Sequence, residues 1–124
     1  MESYRIKKDE LVFTKLSIND EEQFDVLFEE LNDIVKGNSE FTKEFRDKLV
    51  KIEASCYEVK GNEDIDMYKY LRKNADIGDI TSLFLKIKVD NTETMMDKTY
   101  NTAVNSQKRI NDKMKKYKTN ITKR

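Results

Sequence analysis

The chain contains no proline and only three glycines in 124 residues, Gly37, Gly61 and Gly78. Proline and glycine are the strongest local breakers of structure, so their scarcity predicts long uninterrupted elements that end near these three positions. Phe24, Leu27, Phe28, Leu31, Ile34 and Val35 form one stripe of an amphipathic helix that stops at Gly37. Phe41, Phe45, Leu49, Ile52, Cys56 and Val59 recur at intervals of three and four before Gly61, which predicts a second helix with Ser39 as its cap. The short link between the two implies a helical hairpin. A brief helix around Ile65, Tyr68 and Leu71 follows, then a polar turn through Gly78.

Two segments alternate with period two. Val12, Thr14, Leu16 and Ile18 share one face of a strand, and Leu83, Leu85, Ile87 and Val89 one face of another; Tyr4 and Ile6 fit a short edge strand. Each longer strand runs into a helix start, with Asn19 or Asp20 capping one helix and Asp90 or Asn91 the other. The stretches VFTKLSINDEE and LFLKIKVDNTE match 71 positions apart, but the match fades where Leu27 and Phe28 meet Lys98 and Thr99. A repeat unit would extend further, so shared strand and cap chemistry explains the likeness, and the two strands are expected side by side. Leu85, Val89, Thr92 and Met96 also fit helical spacing, which is the alternative for residues 83–89. The expected fold is α+β and predominantly helical, a helical hairpin and a long C-terminal helix packed with a small two- or three-stranded sheet.

Length fits one domain, and 39% charged against 37% hydrophobic residues implies a thin core, anchored by six Phe and six Tyr. Histidine is absent, which removes imidazole bases, Ser-His-Asp and Cys-His pairs and histidine metal ligands. No phosphate-cradling glycine motif occurs. Glu63, Asp64 and Asp66 in GNEDID have the residue types of a magnesium site, but acids beside a helix start explain them better. A non-enzymatic protein with no cofactor and no metal is therefore expected. Cys56, the single thiol, lies on an apolar stripe and reads as a buried core residue of a chain built for the cytoplasm. The Lys-, Asn- and Ile-rich composition is of the kind associated with A/T-rich genomes such as those of low-GC bacteria and their phages.

Charge is divided unevenly along the chain. Residues 105–124 hold eight basic residues against Asp112 alone, a net +7, and residues 1–104 hold 16 basic and 23 acidic residues, a net −7. That divides the chain into a compact acidic domain, 1–104, and a basic distal helix and tail, 105–124. Met96, Tyr100, Ala103, Gln107, Ile110, Met114, Tyr117 and Ile121 follow a heptad-like seam. A helix of about 27 residues from Thr92 to Lys118 would be about 40 Å long, and its far end is expected to overhang the body. The candidate partner-binding residues are Gln107, Lys108, Arg109, Ile110, Lys113, Met114, Lys115, Lys116, Tyr117 and Lys118.

The expected partner of that helix is another protein or a second copy of this chain, with the seam as contact and the lysines steering association. Low-specificity nucleic-acid binding ranks second, because arginine is scarce in the tail and the acidic body repels phosphates. Membrane binding is not expected, since Ile110, Met114, Tyr117 and Ile121 give little apolar depth. The segment IKVDNTETMMDKTYNTAVNSQKRIND resembles the opening of the first helix in small helical secretion-substrate and partner proteins of the W-x-G type. It covers about a fifth of the chain and lacks the W-x-G turn, so no residue role is carried over from that resemblance.

Overall fold

The computed structural model describes the backbone of residues 3–122 and the side chains of residues 3–112. By contacts the chain divides into a compact unit, Met1–Asn91, and a second unit, Thr92–Arg124. The compact unit is α+β: β1 (Tyr4–Ile6), β2 (Asp9–Phe13), α1 (Ile18–Val35), α2 (Lys43–Cys56), β3 (Tyr57–Val59), α3 (Met67–Asn74) and the start of α4 (Ile77–Thr122). The three strands form one antiparallel sheet in the order β1-β2-β3. Leu11, with no solvent exposure, sits at its centre opposite Tyr4 and Val59. The hairpin is pinned to the helices by side chains: Tyr4 donates to Asp79 Oδ1 at 2.7 Å and Tyr70 to Asp9 Oδ2 at 2.6 Å.

The first strand-to-helix junction exists, but the strand lies at Asp9–Phe13 and the helix opens at Ile18, so of the strand expected over Val12 to Ile18 only Val12 and Phe13 are strand. The cap is Ser17, whose hydroxyl accepts from the Asp20 N–H at 3.2 Å, in place of Asn19 or Asp20. Asp20 and Glu21 then occupy the first turn, where negative charge meets the positive end of the helix dipole. Thr42, not Ser39, caps α2 by accepting from the Phe45 N–H. At its other end α2 stops at Cys56 without a breaker. The run CYEV satisfies two periods, since Cys56 and Val59 fit a helix and Tyr57 and Val59 fit a strand. Pairing with β2 settles it: the Cys56 carbonyl accepts from the Thr14 N–H at 2.7 Å and Tyr57 leaves in an extended conformation.

The largest correction concerns residues 83–89, which are helix and form no strand beside β2. Asp76 and Asp79 start that helix by reciprocal capping. Asp76 Oδ1 accepts from the Asp79 N–H at 2.8 Å and Asp79 Oδ2 accepts from the Asp76 N–H at 3.1 Å. Gly78 therefore lies inside the first turn and ends nothing. Ile80, Leu83, Phe84 and Ile87 are buried at helical spacing, and Leu85 and Val89 are exposed. Asp90, expected as a cap, is a mid-helix residue with a buried side chain. The sequence was ambiguous here because both sides of the helix carry apolar residues, so period two and period 3.6 both found matches. The likeness to VFTKLSINDEE thus joins a strand and cap to a stretch of helix.

Aromatic rings tie the layers of the core together. Phe24 on α1 stacks on Phe84 of α4 with centroids 4.5 Å apart, and Phe13 meets Tyr57 edge-on across β2 and β3. Gly37 closes α1 as expected, at φ +82°, with its N–H donating to Ile34 O and the Asn38 N–H donating to Asp33 O. Open space surrounds the position of a Cβ there, so only backbone strain opposes a side chain. Gly37→Ala is expected to lower stability by about 1 kcal/mol in urea unfolding.

Candidate functional site

Beyond Asn91 the chain is helix, and of the described side chains from Thr92 to Asp112 only Thr94 is half-buried. At about 100° per residue, Met96, Tyr100, Ala103, Gln107 and Ile110 fall within an arc of roughly 80°. That arc is uncovered: Met96 is 66% exposed, Tyr100 69% and Ile110 52%. Val104 flanks it and Met95 lies to its other side, both exposed. A single exposed apolar residue is ordinary, but here several share one helical face that no described residue of its own unit covers. The helix is held by its backbone and by local side-chain bonds: Thr102 donates to Lys98 O at 2.9 Å and Gln107 Nε2 to Asn111 Oδ1 at 3.3 Å.

Of the residues assigned to partner binding, Gln107, Lys108, Arg109 and Ile110 are exposed on this helix, with Gln107 and Ile110 on the seam. Lys113, Met114, Lys115, Lys116, Tyr117 and Lys118 belong to helical backbone, and their side chains lie outside the described residues. Met95 and Val104 were not assigned. Val104 follows Tyr100 by four residues and could have been found from that spacing.

A second group of polar residues is built into the core of the compact unit. Asp90, 1% exposed, accepts from the Tyr57 hydroxyl at 2.6 Å and from Lys86 Nζ at 2.7 Å. Burial and the Asp90 carboxylate push the Tyr57 hydroxyl far above its ordinary value. Glu53 on α2 is fully buried and neither carboxylate oxygen finds a hydrogen-bond partner among the described residues. Burial raises its carboxyl well above the usual range. Burial, with Asp20 and Glu53 nearby, pushes the Cys56 thiol up to about 12. The cysteine is buried in the core, as its place on the apolar stripe implied.

The surface of the compact unit offers less. A cleft of about 650 Å³ opens between α2, α3 and the start of α4, with Arg46 and Arg72 among its lining. Both guanidiniums already meet Asp47, at 3.4 and 2.6 Å. Glu63, Asp64 and Asp66 are exposed, and Asp66 caps α3 by accepting from the Lys69 N–H. Among the described residues no cluster of three or more Cys, Asp or Glu is placed to hold a metal ion. No described helix is long and apolar enough to cross a membrane. No protein-family model matches the chain, and comparison with curated proteins and with solved structures found no match.

Proposed function

We propose that this is a small, non-enzymatic protein-binding protein, an adaptor, inhibitor or accessory subunit, that docks its partner through the amphipathic basic helix beyond Asn91. The observation that carries this reading is the exposed apolar arc of Met96, Tyr100 and Ile110, which no described residue of its own unit buries. Lysines crowd the sequence after it, and such charge accelerates encounter with an acidic partner. The single buried thiol suits a reducing, cytoplasmic setting.

Ile110→Asp is expected to abolish partner binding, because it places an unpaired charge in a desolvated contact, a penalty on the order of several kcal/mol. Neutralising Lys115 and Lys116 together should mainly slow association and flatten its salt dependence. The charge bias of residues 105–124 supports a second reading, nucleic-acid binding, under which the order reverses. The double lysine change would then weaken binding strongly and reduce the salt slope by roughly two, and Ile110→Asp would matter little. Titrations of both variants at several salt concentrations separate the two readings.

A further inference from the structure

We infer that the exposed helix pairs with the same helix of a second copy, antiparallel and centred on Ala103. This deepens the proposed function and rests on its reading of the helix as a contact surface. The seam is complementary to itself when reversed about Ala103. Met96 then faces Ile110 of the second copy, Tyr100 comes within one residue of the level of Gln107, and the small Ala103 meets its own counterpart at the two-fold axis. Large apolar side chains meet large ones, the Tyr100 hydroxyl meets an amide that can hydrogen-bond it, and the narrowest point of the seam falls where the backbones approach most closely.

Charge selects the direction. Asp97, Val104 and Lys108 lie on one flank of the seam at intervals of seven and four, all exposed. In antiparallel pairing equivalent flanks adjoin, so Asp97 of each copy lies beside Lys108 of the other and Val104 lies near its own counterpart. Parallel pairing brings opposite flanks together. It leaves Asp97 beside Thr99 without a cation, and stacks Gln107 on Gln107 within the seam. The antiparallel arrangement is an isologous two-fold contact, which closes on itself and yields a dimer without further growth.

The test is disulfide trapping of the full-length chain under mild oxidation, combined with light scattering at rising protein concentration. Cys56 is fully buried, and the unsubstituted chain serves as the control for it. Met96 and Ile110 are exposed, so Met96→Cys and Ile110→Cys do not disturb the core. A mixture of the two variants is expected to form a covalent dimer of twice 14.7 kDa, and Met96→Cys alone is expected to stay uncoupled. Scattering of the unsubstituted chain should approach the same doubled mass, and Ile110→Asp should return it to one copy. Efficient coupling of Met96→Cys alone overturns the antiparallel register. A chain that remains monomeric at every concentration, with no coupling in the mixture, overturns self-pairing altogether. If Ile110→Asp still abolishes binding of a different protein in that case, the contact-surface reading survives and only the second copy is excluded as its occupant.

Discussion

Phe84→Ala is expected to destabilise the protein by about 4 kcal/mol, a large share of the roughly 5 to 15 kcal/mol that holds a domain of this kind together. Phe84 has no solvent exposure and stacks on Phe24 of α1, so truncation removes both the transfer free energy of the ring and the contacts that line its place. Leu83→Ala and Ile87→Ala should each cost about 2 to 4 kcal/mol by the same mechanism. Leu85→Ala and Val89→Ala should cost less than about 1 kcal/mol, since those side chains are 46% and 54% exposed. Urea unfolding of the five variants discriminates helix from strand. A strand would place Leu83, Leu85, Ile87 and Val89 on one face, so a Leu85 variant as costly as the Leu83 variant, with Phe84→Ala neutral, would contradict the helix.

Glu53 gives the second large effect, and it appears in the pH dependence. Because burial raises its carboxyl above the ordinary 4.5, the folded protein holds a proton that the unfolded chain has released. The favourable contribution is complete below 4.5 and is lost as pH rises toward the elevated folded value, with a slope approaching about 1.4 kcal/mol per pH unit for one proton. Cys56 and Tyr57 add losses of the same sign only at strongly alkaline pH, because their ordinary values are already 9.0 and 10.0. Glu53→Leu removes a carboxyl that has no hydrogen-bond partner among the described residues and keeps the volume. It is expected to stabilise the protein by about 1 to 3 kcal/mol at neutral pH and to flatten the profile above 4.5. Chemical denaturation from pH 4 to 9 checks this; a wild-type profile that rises over that range would show Glu53 to be ionised and paired in the fold.

The parts of the fold legible in the sequence were those where one period held without competition. The stripe of Phe24, Leu27 and Leu31 placed α1, and Phe45, Leu49 and Ile52 placed α2. The parts that were not legible lie where two periods coincide and a distant partner decides. Tyr57 to Val59 becomes a strand because β2 has an open edge for it, which no local window reveals. Leu83 to Val89 stays helical because Phe84 packs on Phe24 across 60 positions of sequence and because Asp76 and Asp79 cap each other seven and four residues upstream of Leu83. An Asp-x-x-Asp pair around a glycine reads as a turn until its reciprocal bonds are seen. The buried Glu53 lies on the apolar stripe of α2, four residues after Leu49 and three before Cys56, and was not singled out from the sequence. For the candidate site, the seam through Gln107 and Ile110 was readable because helical spacing needs no tertiary partner. The exposure of Met96 and Tyr100 on it came from the structure.

The central claim is that the helix beyond Asn91 is the surface through which this protein meets its partner. Its most direct test is affinity capture from the native host, after nuclease treatment, with the full chain and with a chain lacking residues 92–124, each first shown by circular dichroism to be folded. The core lies upstream, in Ile6 to Ile87, so the shortened chain is expected to keep its fold. A protein partner held by the full chain through nuclease treatment and lost by the shortened one is the predicted result. A shortened chain that stays folded and holds the same partner with undiminished affinity would contradict the claim and assign the function to the acidic body.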